Sequence, residues 1–354
     1  MRYRRVAITG ASGFIGRYVV KRLAARGAVV AALVRNVDRA NFLRTMGDVG
    51  QIALVRAGLD EEGVLAAALT ECDSVVSLAG ILHEGGGAGQ RFDKVHRDGP
   101  ALLARLAQAA GVRHFVHVSA IGADPASPSA YARSKGEGEA AVRAAFPGAV
   151  ILRPSVVFGP EDQFFNRFAA MAQVAPALPL VGGGATRFQP VYVGDVADAV
   201  VKALAEPAAA GKTYELGGPE TYTFRELMEL MLATVNRKRR LVTLPFGTAS
   251  FLGSIMEKLP NPALTRDQVT LLRHDNVVSP GAMTLADLGI APTAVEVILP
   301  SYMDRFRRGG WFASHGMARD QRLAQQRSDP VPLASTTDQV IGLKKQQEHA
   351  ETRR

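Results

Sequence analysis

Over its first 120 residues the chain alternates short β-branched apolar runs with alanine-rich stretches of helical spacing. Residues 6–9, 29–34, 52–57, 74–78 and 115–119 read as strands, and 17–26 and 100–110 as helices. Apolar strands separated by helices predict a parallel sheet covered on both faces. Residues 150–152 and 214–216 read as two later strands. Beyond residue 160 the pattern loosens, and Gly182-Gly183-Gly184 breaks the chain. An amphipathic helix is expected over 224–235, with Thr223 as its cap and Glu226 three residues on. The expected organisation is a sheet-forming region over 1–160, completed by segments near 190–217. Smaller-lobe and late sheet elements mix through 161–312. Residues 313–354 turn polar and basic and read as a tail that orders only on binding.

Composition narrows the function classes. The 354 residues are 47% hydrophobic and 21% charged, which is ordinary for a globular protein. The single cysteine, Cys72, excludes an intramolecular disulfide and a thiolate-rich metal site, and reads as a small buried residue. No carboxylate cluster accompanies the histidines at ligand spacing, so no metal is expected. No apolar run approaches the roughly 18–20 residues of a membrane span. The basic start, Met1 to Arg5, is followed by too short an apolar stretch for a signal peptide, so a reducing cytoplasm is expected. The net charge of +9 suits nucleic acid, anionic lipid or an acidic partner and does not choose among them. Basic residues are not interleaved with aromatics on one surface, which speaks against nucleic acid.

Chemistry enters with Thr9-Gly10-Ala11-Ser12-Gly13-Phe14-Ile15-Gly16, between the first strand and the first helix. Gly10 suits a tight turn, Gly13 the approach of a pyrophosphate, and Gly16 the packing of helix on strand. The N–H groups of this loop and helix start, with Ser12, Phe14 and Ile15, would face the phosphates. The whole pattern predicts a doubly wound, Rossmann-type nucleotide-binding α/β fold. The second strand ends in Arg35 where an acid would favour the ribose 2′-hydroxyl of NAD. Arg35 and Arg17 together suit a 2′-phosphate, so NADPH is expected over NADH, although Arg35 also reads as a solvated loop cation. Asp60 is a candidate for the adenine amino group, and Leu78, Ala79 and Gly80 for the adenosine ribose.

Tyr131-Ala132-Arg133-Ser134-Lys135 places Tyr131 and Lys135 on one helix face. A lysine ammonium beside a phenol favours the phenolate, and such a phenol can exchange a proton with a carbonyl oxygen. The lysine can also hold a nicotinamide ribose. With seven tyrosines a chance match is not rare, so position after the fifth strand carries the weight.

Together with LRPSVVFGP at 152–160 and PVYVGDVADAV at 190–200, these motifs resemble the extended short-chain dehydrogenase/reductase superfamily over residues 5–310. The resemblance implies that Pro154 and Val156 border the nicotinamide, and that a Ser or Thr after the fifth strand completes a proton relay with Tyr131 and Lys135. That position falls on Ala120; Ser119 sits one residue early, among the cofactor-contacting positions. Tyr131 and Lys135 are therefore either a working or a vestigial pair. Further stretches, from Gly16 to Val20, Phe92 to His96, Leu264 to Val269, Asp275 to Val278 and Pro300 to Arg307, resemble an atypical branch. That branch is the bacterial form of the NADPH-binding accessory subunit of respiratory complex I. It implies other complex I subunits as partners, a peripheral place on the cytoplasmic side of the inner membrane, and a structural role without turnover. Residues 237–259 join Arg237-Lys238-Arg239-Arg240 to an apolar stretch and suit either a membrane surface or packing within the lobe. The alternative is a soluble NADP-dependent reductase, epimerase or dehydratase.

Overall fold

A computed structural model describes residues 5–85, 90–257, 259 and 262–307; the tail of 313–354 lies outside them. Seven parallel strands form one sheet: β1 Arg5–Thr9, β2 Val29–Val34, β3 Ile52–Arg56, β4 Ser74–Ser77, β5 His114–Val118, β6 Val150–Pro154 and β7 Thr213–Leu216. Their order is β7-β6-β5-β4-β1-β2-β3. The order reverses between β1 and β4, so a crevice opens there at the carboxyl ends of the strands.

Alternation along each strand divides the core in two. Val6, Ile8, Val30, Ala32, Val76, Val116 and Leu152 face one side, with helices α1 (Phe14–Ala25) and α6 (Val193–Ala205) upon them. Ala7, Ala31, Leu33, Val75, Phe115 and Ile151 face the other. They meet α2 (Glu62–Leu69), α3 (Gly99–Ala109) and α4 (Ala130–Ala145). Both faces are apolar because both are covered.

A smaller lobe stands over the carboxyl edge. Its core joins Phe165 and Ala169 of α5 (Phe165–Val174), Leu227 and Met231 of α7 (Phe224–Thr234), and Leu299 and Met303 of α10 (Val295–Met303). Thr223 and Glu226 form the expected capping box of α7. Ala177–Val181 and Arg240–Leu244 pair as parallel strands, although the basic and glycine-rich flanks gave no such signal. Two further helices, α8 (Phe246–Met256) and α9 (Arg266–Leu271), pack on each other beside the sheet edge. Asp195 of α6 accepts from the Thr293 N–H at 2.7 Å and hydroxyl at 3.0 Å, which ties the lobe back to the sheet. No described helix is long and apolar enough to cross a membrane.

Candidate functional site

The glycine loop occupies the crevice at the end of β1. Gly10 has φ +70°, and a Cβ there would lie 2.9 Å from the backbone nitrogen of Ala79. A Cβ on Gly16 would lie 2.2 Å from the Gly10 carbonyl oxygen, so only glycine lets α1 start so close to the turn. Gly13 precedes α1, whose start has no side-chain cap and no acid in its first turn. An uncapped helix start aimed into a cleft is an anion site, and these residues fit a dinucleotide's phosphates.

One continuous cleft of about 2580 Å³ collects the expected residues. Gly10, Ser12, Gly13, Phe14, Ile15 and Gly16 lie at its loop end, with Arg35, Asp60, Leu78, Ala79 and Gly80. Ser119, Ala120, Tyr131, Lys135, Pro154 and Val156 line its other part. Arg35 is exposed at the end of β2, and among the described residues it has no carboxylate partner. Arg17 is not in the cleft lining. Its guanidinium pairs with Glu161 at 3.2 Å and lies 5.0 Å from the centre of the Phe42 ring, so the two arginines do not converge as expected.

Helix α4 carries the tyrosine and lysine. Its start is capped twice. Ser129 accepts from the Ala132 N–H at 3.2 Å, and Asp267 of α9 accepts from the Ser129 hydroxyl and the N–H groups of Ala130 and Tyr131 at 2.7–3.1 Å. Lys135 is buried and donates to the Val118 carbonyl at 3.2 Å. Burial pulls its pKa down to about 8. Burial, then the Asp267 carboxylate, push the Tyr131 phenol up to about 12. The expected phenolate is therefore disfavoured in this structure by desolvation and then by the Asp267 charge.

Two histidines, His96 and His117, are buried. His96 accepts from the Ile81 N–H at 3.1 Å through Nε2, so its Nδ1 carries the proton toward Ser134, 2.9 Å away. Its ring stacks on Phe92, with centroids 5.4 Å apart, and meets Tyr131 edge-on. Burial pulls His117 down to about 3, and neither of its ring nitrogens has a hydrogen-bond partner among the described residues. Ser119 continues the pairing of β5 with β6, its N–H 2.7 Å from the Leu152 carbonyl. Its hydroxyl is enclosed and unpartnered among the described residues. Cys72 is buried, and burial raises its thiol pKa, as suits an inert thiol.

Three residues with no assigned role in the sequence reading prove central. Asp267 holds the start of α4. Asn276 accepts from the Ser155 hydroxyl at 2.7 Å and the Val156 N–H at 3.1 Å, and so fixes the loop at the end of β6. Glu139 takes Arg153 in a bidentate pair, both distances 2.8 Å, beneath the same loop. Both Asp267 and Asn276 fall in stretches that carried the resemblance, and the capping box of Thr265 with Gln268 marked the helix that holds Asp267, but nothing local marked what either side chain holds.

A strand-order crevice, a glycine cradle at an uncapped helix start and a Tyr–Lys helix define a dinucleotide-binding protein of the Rossmann class. The chain belongs to the NAD dependent epimerase/dehydratase family, whose model matches residues 6–217. It is similar to the NADH dehydrogenase [ubiquinone] 1 alpha subcomplex subunit 9, mitochondrial, of Arabidopsis thaliana, at 34% identity over 317 residues, covering 86% of this chain and 78% of that one. It is 35% identical to the protein of the same name from Mus musculus, covering 87% and 81%. Among solved structures, the dTDP-glucose 4,6-dehydratase DesIV of Streptomyces venezuelae, with NAD bound, superposes with a TM-score of 0.66. It is 23% identical and covers 85% of this chain and 96% of that one, which speaks for the fold alone.

Proposed function

We propose that the chain is an accessory subunit of respiratory complex I that holds NADPH without turning it over. One observation carries this: the dinucleotide cradle is complete, while the Tyr131/Lys135 pair lacks an accessible hydroxyl partner. Ala120 is bare and the Ser119 hydroxyl is enclosed. A bound nicotinamide supplies hydride chemistry; the chain's own part is to receive the phosphates at α1 and the ribose at Lys135. Arg35 supports NADPH, because a guanidinium forks onto a 2′-phosphate where an acid would repel it. The likeness to complex I subunits over most of the chain supports the partners. We place the protein peripherally on the cytoplasmic side of the inner membrane. Helix α8 supports a contact there: Phe251 is 66% and Ile255 52% exposed. Of the nearby basic run, Arg237 and Arg239 donate to lobe carbonyls at 2.7 and 2.8 Å, while Lys238 and Arg240 are exposed. The domain limits are proposed as 1–160 with 190–217 for the nucleotide, and 161–312 for mixed lobe and sheet elements.

The test is purification of the tagged, native-level protein in mild detergent, with mass spectrometry of partners and of extracted nucleotide. Complex I subunits in fixed ratio with NADPH support the proposal. A protein that comes down alone from the soluble fraction refutes it. The second reading, an NADP-dependent reductase, epimerase or dehydratase, is favoured by the intact Tyr131/Lys135 pair. It requires substrate turnover that Tyr131→Phe abolishes while NADPH binding persists.

A further inference from the structure

The cleft is larger than a dinucleotide site needs. Small-molecule pockets hold roughly 300–1,000 Å³, against about 2580 Å³ here. The excess lies away from the glycine loop, under the lobe. There the walls are apolar and aromatic: Phe164, Phe168 and Met171 from α5 and its approach, Leu252 and Met256 from α8, and Leu264. Phe164 and Phe168 pack ring to ring with centroids 5.6 Å apart, so this wall is a firm surface.

One charge stands in that wall. Arg167 lines the same cleft and is half-buried. It donates to the Pro262 carbonyl at 2.5 Å, and no carboxylate pairs with it among the described residues. Burial lowers its pKa, with no neighbouring acid to offset the cost. Two nearby acids are already engaged. Asp162 accepts from the Tyr302 hydroxyl at 2.6 Å, and Asp275 pairs with Arg187 at 2.8 Å. A guanidinium without an acid, set in an apolar chamber, is complementary to an anionic head on an apolar tail. Helix α8 supplies the way in. Leu252 and Met256 line the cleft while Phe251 and Ile255, on the same helix, face outward. One helix thus carries apolar side chains both to the exterior and into the chamber.

We propose that the lobe half of the cleft binds a single-tailed anionic amphiphile, with Arg167 on the carboxylate or phosphate head and the α5–α8 wall around the tail. This goes beyond the nucleotide-holding role and rests on it only for the occupant of the other half of the cleft.

The experiment is calorimetric titration of the full chain, saturated with NADPH, with octanoate, decanoate and laurate, and with dodecyl phosphate, dodecanol and UDP. Each added pair of methylenes should tighten binding by about fifteenfold, since one buried methylene contributes about fourfold. Dodecanol should bind at least tenfold more weakly than laurate, because it lacks the charge that Arg167 pairs with. The ratio of laurate to dodecyl phosphate tells a carboxylate head from a phosphate head. Arg167→Gln should remove the preference for laurate over dodecanol, and Leu252→Asp, at a 40% exposed position, should weaken both. Retained NADPH binding reports that each variant is folded; if one is not, the wild-type series alone decides. A flat chain-length series, equal binding of laurate and dodecanol, or Arg167-dependent binding of UDP tighter than that of laurate overturns the proposal. None of these results bears on complex I association, which the co-purification reads separately.

Discussion

Lys135→Met tests the physical account of the site most directly. Lys135 is 5% exposed, and its ammonium donates to the Val118 carbonyl. Its pKa falls from 10.5 to about 8 because burial strips water from the ammonium. That difference corresponds to about 3 kcal/mol against the charged folded form. A lysine whose proton is held more weakly folded than unfolded costs stability in full below its folded pKa. The cost is relieved as pH rises from about 8 toward 10.5. Methionine matches the length without the charge. It strands the Val118 carbonyl, a loss of about 1–3 kcal/mol. The balance is a nucleotide-free variant about 1–2 kcal/mol more stable than the parent at pH 7. Urea unfolding at pH 7, 8.5 and 10 reads it, and comparison with the parent cancels groups common to both. The advantage should shrink as pH rises. With saturating NADPH the order should reverse, because the parent gains RT ln(1 + [L]/Kd) and the variant, lacking the ribose contact, gains less. A variant less stable at pH 7, or an advantage independent of pH, refutes the reasoning.

The remaining predictions concern the cradle and its supports. Arg35→Ala should weaken NADPH binding tenfold to a hundredfold and leave NADH unchanged, since charge-assisted hydrogen bonds contribute about 1.5–3 kcal/mol; fluorescence titration with both nucleotides checks this. Gly13→Ala and Gly16→Ala should separate. A Cβ at Gly13 would lie 3.1 Å from the Gly10 carbonyl oxygen, which the loop must relieve by a small shift, so that variant folds but binds nucleotide poorly. The 2.2 Å clash at Gly16 should lower the melting temperature as well, as thermal denaturation would register. Asp267→Asn should cost about 1 kcal/mol of stability through the α4 cap and lower the Tyr131 pKa, measured by ultraviolet titration.

What the chain announced locally, the structure contains. The strands at 29–34 and 150–152 and the turn at Gly10 depend on neighbours a few residues away, and β-branched runs and glycines mark them in any context. Arg17 shows where that stops. Its place beside the third glycine is local, but its direction is set by Glu161, 144 positions along the chain. The phenolate inference failed in the same way. The sequence offered Lys135, four residues away, whereas what perturbs Tyr131 is burial and then Asp267, both brought by tertiary packing.

The same distinction separates holding from turnover. The loop that receives the phosphates arises from contiguous residues at one strand–helix junction, and Arg35, Asp60, Leu78 to Gly80 and Lys135 join it from other elements. Proton transfer instead needs three groups from β5 and α4 brought to one point with matched pKa values. Here α4 is fixed by Asp267 and Lys135 is fixed by the Val118 carbonyl, yet the third position is Ala120. Enclosing the Ser119 hydroxyl leaves a buried polar atom unpartnered among the described residues, a cost that a working relay would remove by hydrogen bonding. On the proposed reading, the bare Ala120 and the enclosed Ser119 hydroxyl separate holding from turnover, and the activity of Tyr131→Phe beside its NADPH binding decides between the two.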